Sequence, residues 1–80
     1  MVVIRVKPHS YLNVYLSGEQ AHRILELGFP EPPTVARVVE YLKLPREEVL
    51  LITINKRKVS WETRVHPGDL VELYPTIGGG

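Results

Sequence analysis

One segment of the chain has the periodicity of a helix, and this single helix constrains the fold more than any other feature. Thr34 is a good N-cap for it, and Pro45 is expected to end it. Eighty residues make one domain with room for a single core. We therefore expect the helix to bury its apolar stripe against all the other apolar segments. The stripe, at i, i+3, i+4 and i+7, is Val35, Val38, Val39 and Leu42.

The other apolar residues alternate with polar ones, which is typical of strands with one buried face. One helix must cover one face of a mixed sheet, because no other arrangement buries both the apolar stripe of the helix and the apolar face of the strands. The order β-β-α-β-β-β predicts an α+β, β-grasp fold, with about four to five strands and one main helix on one face. The predicted strands are 2–7, 25–29, 49–54, 57–61 and 70–74, with 49–54 as a central strand because it is β-branched.

The alternation also assigns side chains to the two faces of the sheet. Thr53 is expected on the face away from the helix, together with Glu72 and Tyr74. Because Thr53 is expected outside the core, Thr53→Asp should weaken partner binding without unfolding the protein. The residues expected to face the helix in these two strands are Ile52, Ile54, Val71 and Leu73.

Composition excludes several classes of function. The chain has no cysteine, which excludes disulfides, thiolate metal sites and a cysteine nucleophile. A net charge of +1 gives no electrostatic case for nucleic acid or an anionic membrane. No apolar run approaches the roughly 20 residues that span a bilayer, and the start does not resemble a signal peptide. We expect a cytoplasmic protein that is monomeric when free, with neither nucleic acid nor membrane as partner.

Two groups of polar residues are expected to be ordinary surface residues and not binding sites. His9, His22 and His66 lie far apart in the sequence, so no metal site is expected. The basic run 56–58 is expected to be a solvated hairpin tip, with docking to an acidic partner or phosphate binding as the alternatives.

The sequence ends on an isoleucine and three glycines directly after the last predicted strand. Glycine has no Cβ, so such a segment is thin enough to thread into a narrow catalytic cleft. The reactive group there would be the α-carboxylate of Gly80, which is inert toward nucleophiles until ATP converts it to an acyl-adenylate. We expect this chain to carry that carboxylate and another protein to activate it. The alternative is a frayed terminus without a role.

Several motifs together resemble one family, the ubiquitin-like sulfur carriers, to which the molybdopterin synthase small subunit and the thiamine sulfur carrier belong. They are Pro33-Thr34-Val35 before the helix, the strand 49–55 ending on Asn, the segment 61–65, the run 67–73, and Pro75 followed by glycines. The chain departs from the family where Lys56 follows Asn55 in place of a frequent glycine. It also departs in the tail, at Thr76, Ile77 and Gly78.

The resemblance implies a mechanism in which the chain is a carrier and not an enzyme. A ubiquitin-activating-type adenylyltransferase, using ATP·Mg, would adenylate Gly80, and no cofactor or metal would be bound stably by the carrier. Persulfide sulfur supplied through a cysteine desulfurase or rhodanese would then give a thiocarboxylate. This would donate sulfur on a synthase, the large subunit of molybdopterin synthase or thiazole synthase.

The resemblance favours the small subunit of molybdopterin synthase, in molybdenum or tungsten cofactor biosynthesis. A carrier for thiamine or tRNA thiolation is an alternative within the family. A ubiquitin-like modifier that forms isopeptide bonds with lysines, and a non-covalent β-grasp binding module, are alternatives from other classes.

The resemblance assigns a role to each residue of the predicted site. Gly80 would carry the reactive carboxylate, and Gly78 and Gly79 would thread into the cleft. Residues 75–80 are expected to form a flexible tail. The residues expected to contact partners are Thr53, Tyr74, Pro75 and Ile77.

Overall fold

The computed structural model describes residues 1–16, 18 and 23–76. The strands are β1 (Val2–Pro8), β2 (Leu25–Phe29), β3 (Val49–Ile54), β4 (Arg57–Lys58) and β5 (Leu70–Pro75). The helix α1 is Val35–Tyr41, and two short 3₁₀ helices cover Ser10–Tyr15 and Arg46–Glu48. The predicted element order and the α+β, β-grasp class are confirmed.

The strands form one mixed sheet in the order β2-β1-β5-β3-β4. β1 and β5 run parallel, with Val6 opposite Val71, and the other neighbours are antiparallel. The prediction that 49–54 is a central strand and not an edge strand is confirmed, because β3 lies between β5 and β4, with β5 in the middle of the sheet. The first and last strands of the chain thus meet at the centre of the sheet.

The edge strand β4 has two residues, where the alternation predicted a strand over 57–61. Val59 N still donates to Ile52 O at 3.0 Å. The chain then turns away, because Ser60 N donates to Thr63 Oγ1 and Thr63 N to Ser60 O, both at 3.2 Å. A local turn therefore replaces the outer part of the predicted ladder.

The helix begins as predicted and ends earlier. Thr34 Oγ1 accepts from Arg37 N at 3.2 Å, which confirms the N-cap. Lys43, in the left-handed region with φ 59°, ends the helix before Pro45 is reached. Lys43 N donates to Glu40 O and Leu44 N to Val39 O, the two bonds of a Schellman motif. Pro45 follows this cap and does not itself break the helix.

The helix stripe and the inner face of the sheet form the core. Val35, Val38 and Val39 are buried, and Leu42 packs partly buried against them. The side chains expected to face the helix in β3 and β5 do so, and all four belong to the same buried cluster. The helix therefore covers one face of the sheet, and the opposite face, which carries Thr53 and Glu72, is here called the outer face.

Candidate functional site

The candidate site is the end of β5, where the chain leaves the sheet toward the glycines. Tyr11 Oη lies 2.6 Å from Thr76 Oγ1 and 3.1 Å from Thr76 O. It also lies 3.1 Å from Glu48 Oε2, and Thr76 N donates to Glu48 O at 3.1 Å. We call Tyr11, Glu48 and Thr76 the Thr76 clamp. It joins three segments that are distant in the sequence.

The Tyr11 hydroxyl can make two of its three contacts at a time. A hydroxyl has one proton to donate and two lone pairs to accept with. Thr76 Oγ1 can donate to Tyr11 Oη while Tyr11 donates to the Glu48 carboxylate or to the Thr76 carbonyl. The amide and the hydroxyl of Thr76 therefore have partners within the clamp together, and the Thr76 carbonyl and Glu48 Oε2 are alternative acceptors for the one Tyr11 proton.

A second group of side chains lies on the outer face, around Glu72 and Tyr74 of β5. Tyr74 stacks on His9, with ring centroids 4.3 Å apart and planes 8° from parallel. His9 Nε2 lies 2.9 Å from Glu72 Oε2, and Lys56 Nζ lies 2.8 Å from Glu72 Oε1. Tyr74 also donates to Glu72 Oε2 at 3.4 Å. We call His9, Lys56, Glu72 and Tyr74 the outer-face cluster.

The carboxylate of Glu72 is buried in this cluster, with its side chain only 3% exposed. The ammonium of Lys56, and to a smaller degree the hydrogen bond with His9, hold the pKa of Glu72 below its ordinary value of 4.5, although burial acts in the opposite direction. The same contact raises the pKa of Lys56 above 10.5. Glu72 is therefore a buried charge that is compensated on both oxygens.

Lys56 reaches Glu72 from the turn between β3 and β4. Asn55 and Lys56 both have positive φ, 51° and 72°, as in the type I′ turn that suits the twist of a hairpin. The turn therefore forms although neither Asn55 nor Lys56 is a glycine. Lys56 remains 73% exposed, so the basic run is a solvated tip, as expected, with one member paired.

Thr53 lies on the predicted face, but the expectation that it is accessible was wrong. It is 9% exposed, opposite Glu72 on one side and Lys58 on the other. Among the described residues, Thr53 Oγ1 has no hydrogen-bond partner. The neighbours in the sheet cover this position, so Thr53→Asp would place a second carboxylate beside a buried one, and unfolding is the expected result.

The other predicted site residues divide into two groups. Tyr74 is half-buried in the outer-face cluster, and Pro75 is the last residue of β5, paired with Val49. The predicted roles of Ile77, Gly78, Gly79 and Gly80 concern residues outside the described part of the chain. The structure thus brings Tyr74 and Pro75 to the start of the tail and leaves Thr53 apart from it.

Sequence reasoning missed Tyr11, Glu48, His9 and Lys56 as members of this region. Tyr11 and Glu48 both lie between the predicted strands and helix, in segments that have no motif of their own. The only signal for Lys56 was its departure from the pattern of the family that the sequence resembles. These contacts join residues up to 65 positions apart, so no local pattern indicates them.

Over residues 1–16, 18 and 23–76, no cluster of three or more histidine, aspartate or glutamate side chains could hold a metal ion. No helix in this part of the chain has the length and apolar character required to cross a membrane.

Comparison with known structures identifies the fold. The structure of a molybdopterin converting factor, subunit 1, from Pyrococcus furiosus superposes with a TM-score of 0.73 at 23% identity, covering 96% of this chain and 100% of that one. Small archaeal modifier protein 1 from Haloferax volcanii superposes with TM-scores of 0.72 and 0.74 in two structures, at 15% and 13% identity. These structures cover 98% and 96% of this chain, and 99% and 100% of their own.

Sequence comparison then places the chain in a family. No curated protein matches it. The family described as Mut7-C ubiquitin matches residues 1–78, which include the whole sheet, the helix and the Thr76 clamp. The predicted resemblance to ubiquitin-like carriers is thereby confirmed at the level of family and fold, and the chain belongs to the Mut7-C ubiquitin family.

Proposed function

We propose that this protein is a ubiquitin-like sulfur carrier whose reactive group is the α-carboxylate of Gly80. The observation that carries the proposal is the end of β5, where Pro75 completes the ladder and Thr76 is held by Tyr11 and Glu48. Ile77 and three glycines follow in the sequence. A rigid fold thus precedes a segment that is thin enough for the cleft of another protein. The chain acts as a co-substrate and not as a catalyst.

The chemistry belongs to the partners. In a ubiquitin-activating-type adenylyltransferase with bound ATP·Mg, an oxygen of the Gly80 carboxylate attacks the α-phosphate and pyrophosphate leaves. A persulfide sulfur, supplied through a cysteine desulfurase or rhodanese, attacks the acyl carbon and AMP leaves. A thiol then cleaves the resulting acyl disulfide and releases the thiocarboxylate. The carrier has no cysteine, so every thiol that takes part in these reaction steps comes from a partner protein.

The sulfur acceptor we favour is a precursor bound to the large subunit of molybdopterin synthase. The likeness to molybdopterin converting factor, subunit 1, supports this choice. The role would then be that of the small subunit, in molybdenum or tungsten cofactor biosynthesis. Thiazole synthase and a tRNA-thiolating enzyme are the alternative acceptors. Tyr74, Pro75 and Ile77 are the residues proposed to contact these partners in the cytoplasm.

A second candidate function is protein modification, which the likeness to small archaeal modifier protein 1 favours. The same adenylate would form, and the Nζ atom of a target lysine would replace sulfur as the nucleophile. The two functions therefore share the first step and differ only in the acceptor.

The first step is tested by ATP–pyrophosphate exchange with the adenylyltransferase of the same organism. Deletion of Gly79 and Gly80 should abolish exchange, and Gly80→Ala should do the same, while both variants keep the wild-type circular dichroism spectrum. Gly18→Ala is the matched control, because an added Cβ at Gly18 meets no atom within 4 Å. Exchange that survives the deletion would contradict the proposal and favour a non-covalent binding module.

A further inference from the structure

The Thr76 clamp holds the chain at the residue that precedes Ile77 and the glycines. β5 is paired through Pro75, opposite Val49, and Thr76 N continues this with a bond to Glu48 O. Tyr11 then engages the carbonyl and the hydroxyl of Thr76 from the other side. Sheet pairing alone would leave Thr76 held on one side, so the Tyr11 hydroxyl completes the restraint.

We propose that Tyr11 and Glu48 are positioning residues that fix where the reactive tail begins, an inference that rests on the proposed function. In the proposed function Gly80 carries the reactive carboxylate, four residues after Thr76, and an extended residue spans at most about 3.6 Å. The Gly80 carboxylate therefore reaches at most roughly 14 Å from Thr76. A partner that docks against the fold finds the carboxylate within this fixed radius.

The clamp acts on productive docking and not on the chemical step. Ordering a backbone residue on binding costs entropy, and a residue that is already clamped has lost that freedom before the partner arrives. Releasing one residue is expected to weaken productive docking by roughly fivefold to thirtyfold. Because the reacting atoms are untouched, the loss should fall on KM for the carrier and leave kcat within about twofold.

The test compares Tyr11→Phe, which keeps the ring and removes the hydroxyl, with Tyr15→Phe in the same 3₁₀ helix. In pyrophosphate exchange, Tyr11→Phe should raise KM about tenfold with kcat retained, and Tyr15→Phe should match the wild type. Thr76→Val should reproduce the loss, and Thr76→Ser, which keeps the hydroxyl, should restore most of it. The double variant Tyr11→Phe/Thr76→Val should be no worse than either single variant, because both remove the same contact.

Amide hydrogen exchange at Thr76 gives a readout that needs no partner. The wild-type amide should be protected, and Tyr11→Phe should speed its exchange without changing the thermal midpoint by more than a few degrees. If Tyr11→Phe leaves both KM and Thr76 exchange unchanged, the clamp has no positioning role. If the wild type itself supports no pyrophosphate exchange, the result contradicts the proposed function, and with it the positioning role that depends on that function.

Discussion

The two faces of β5 are both buried, but they are buried by different means. On the inner face, Val71 and Leu73 are fully buried against the helix and its neighbours. On the outer face, Glu72 is 3% exposed although α1 lies on the opposite face of the sheet. His9, Lys56 and Tyr74 cover it instead, through contacts of 2.9, 2.8 and 3.4 Å.

The two faces of β5 are therefore stabilised by different kinds of interaction. The inner face is stabilised by removal of apolar area from water, which is non-directional and insensitive to pH near neutrality. The outer face is stabilised by charge-assisted contacts, whose strength depends on geometry and protonation. Three substitutions and one pH series test this contrast, at residues of β5 and at its neighbour Thr53.

The largest expected effect is on the inner face. Leu73→Ala removes a fully buried side chain and leaves a cavity, so the free energy of unfolding should fall by about 2–5 kcal/mol. Leu50→Ala, at a position that is 62% exposed in β3, should change it by less than about 0.5 kcal/mol. Urea denaturation measures both. Equal losses would show that the inner face is not the main source of stability.

The next effect is on the outer face. Glu72→Gln keeps the shape and removes the charge that His9 and Lys56 contact, so we expect a loss of about 1–3 kcal/mol. The loss should stay below that of Leu73→Ala because Lys56 is solvated and is not left as a buried charge. Glu26→Gln, at an exposed position in β2, is the control. A loss no larger than that of the control would mean that the cluster does not stabilise the sheet.

The two faces should also differ in their response to pH. The pKa of Glu72 is lowered on folding, so its contribution is fully present above its ordinary value of 4.5 and is lost as the pH falls through the lower folded value. The pKa of Lys56 is raised, so its contribution is lost only as the pH rises above 10.5. Urea midpoints measured from neutral pH to below 4.5 should fall more steeply for the wild type than for Glu72→Gln. Parallel curves would contradict the assignment.

The smallest effect is expected at Thr53, beside Glu72. Its hydroxyl is buried and has no hydrogen-bond partner among the described residues, so its desolvation is uncompensated. Thr53→Val should therefore raise the free energy of unfolding by up to about 1 kcal/mol. Serine at the same position keeps the hydroxyl and should give no gain. A loss of stability for Thr53→Val would mean that the hydroxyl is hydrogen-bonded in solution, for example to water.

The same contrast explains what the sequence could predict. The inner face follows from periodicity, since Val71 and Leu73 alternate with polar residues and the helix stripe matches them. The bounds of β3 and the Thr34 N-cap depend on neighbouring residues and were predicted correctly. Burial of Glu72 depends on Lys56 and His9, which local patterns do not connect with it.

The candidate site was predictable only in part for the same reason. Tyr74 and Pro75 were assigned from their positions before the glycines, and the structure places them at the start of the tail. The clamp joins Tyr11 to Thr76 across 65 positions, and the residues next to Tyr11 in the sequence give no sign of such a contact. The local sequence pattern predicts where a strand ends, whereas the contacts of Tyr11 and Glu48 with Thr76 depend on how the strands are arranged in the sheet.

Conversion of Gly80 to a thiocarboxylate changes the intact mass of the protein, which can be measured. The protein would be isolated from its native host with iodoacetamide present from lysis, so that the thiocarboxylate sulfur is capped before it hydrolyses. The chain has no cysteine, so a single alkylated species with sulfur in place of oxygen, localised to the C-terminal peptide, is the predicted result. Uncapped free acid alone, or Gly80 found only in amide bonds to lysines of other proteins, would contradict the sulfur-carrier account.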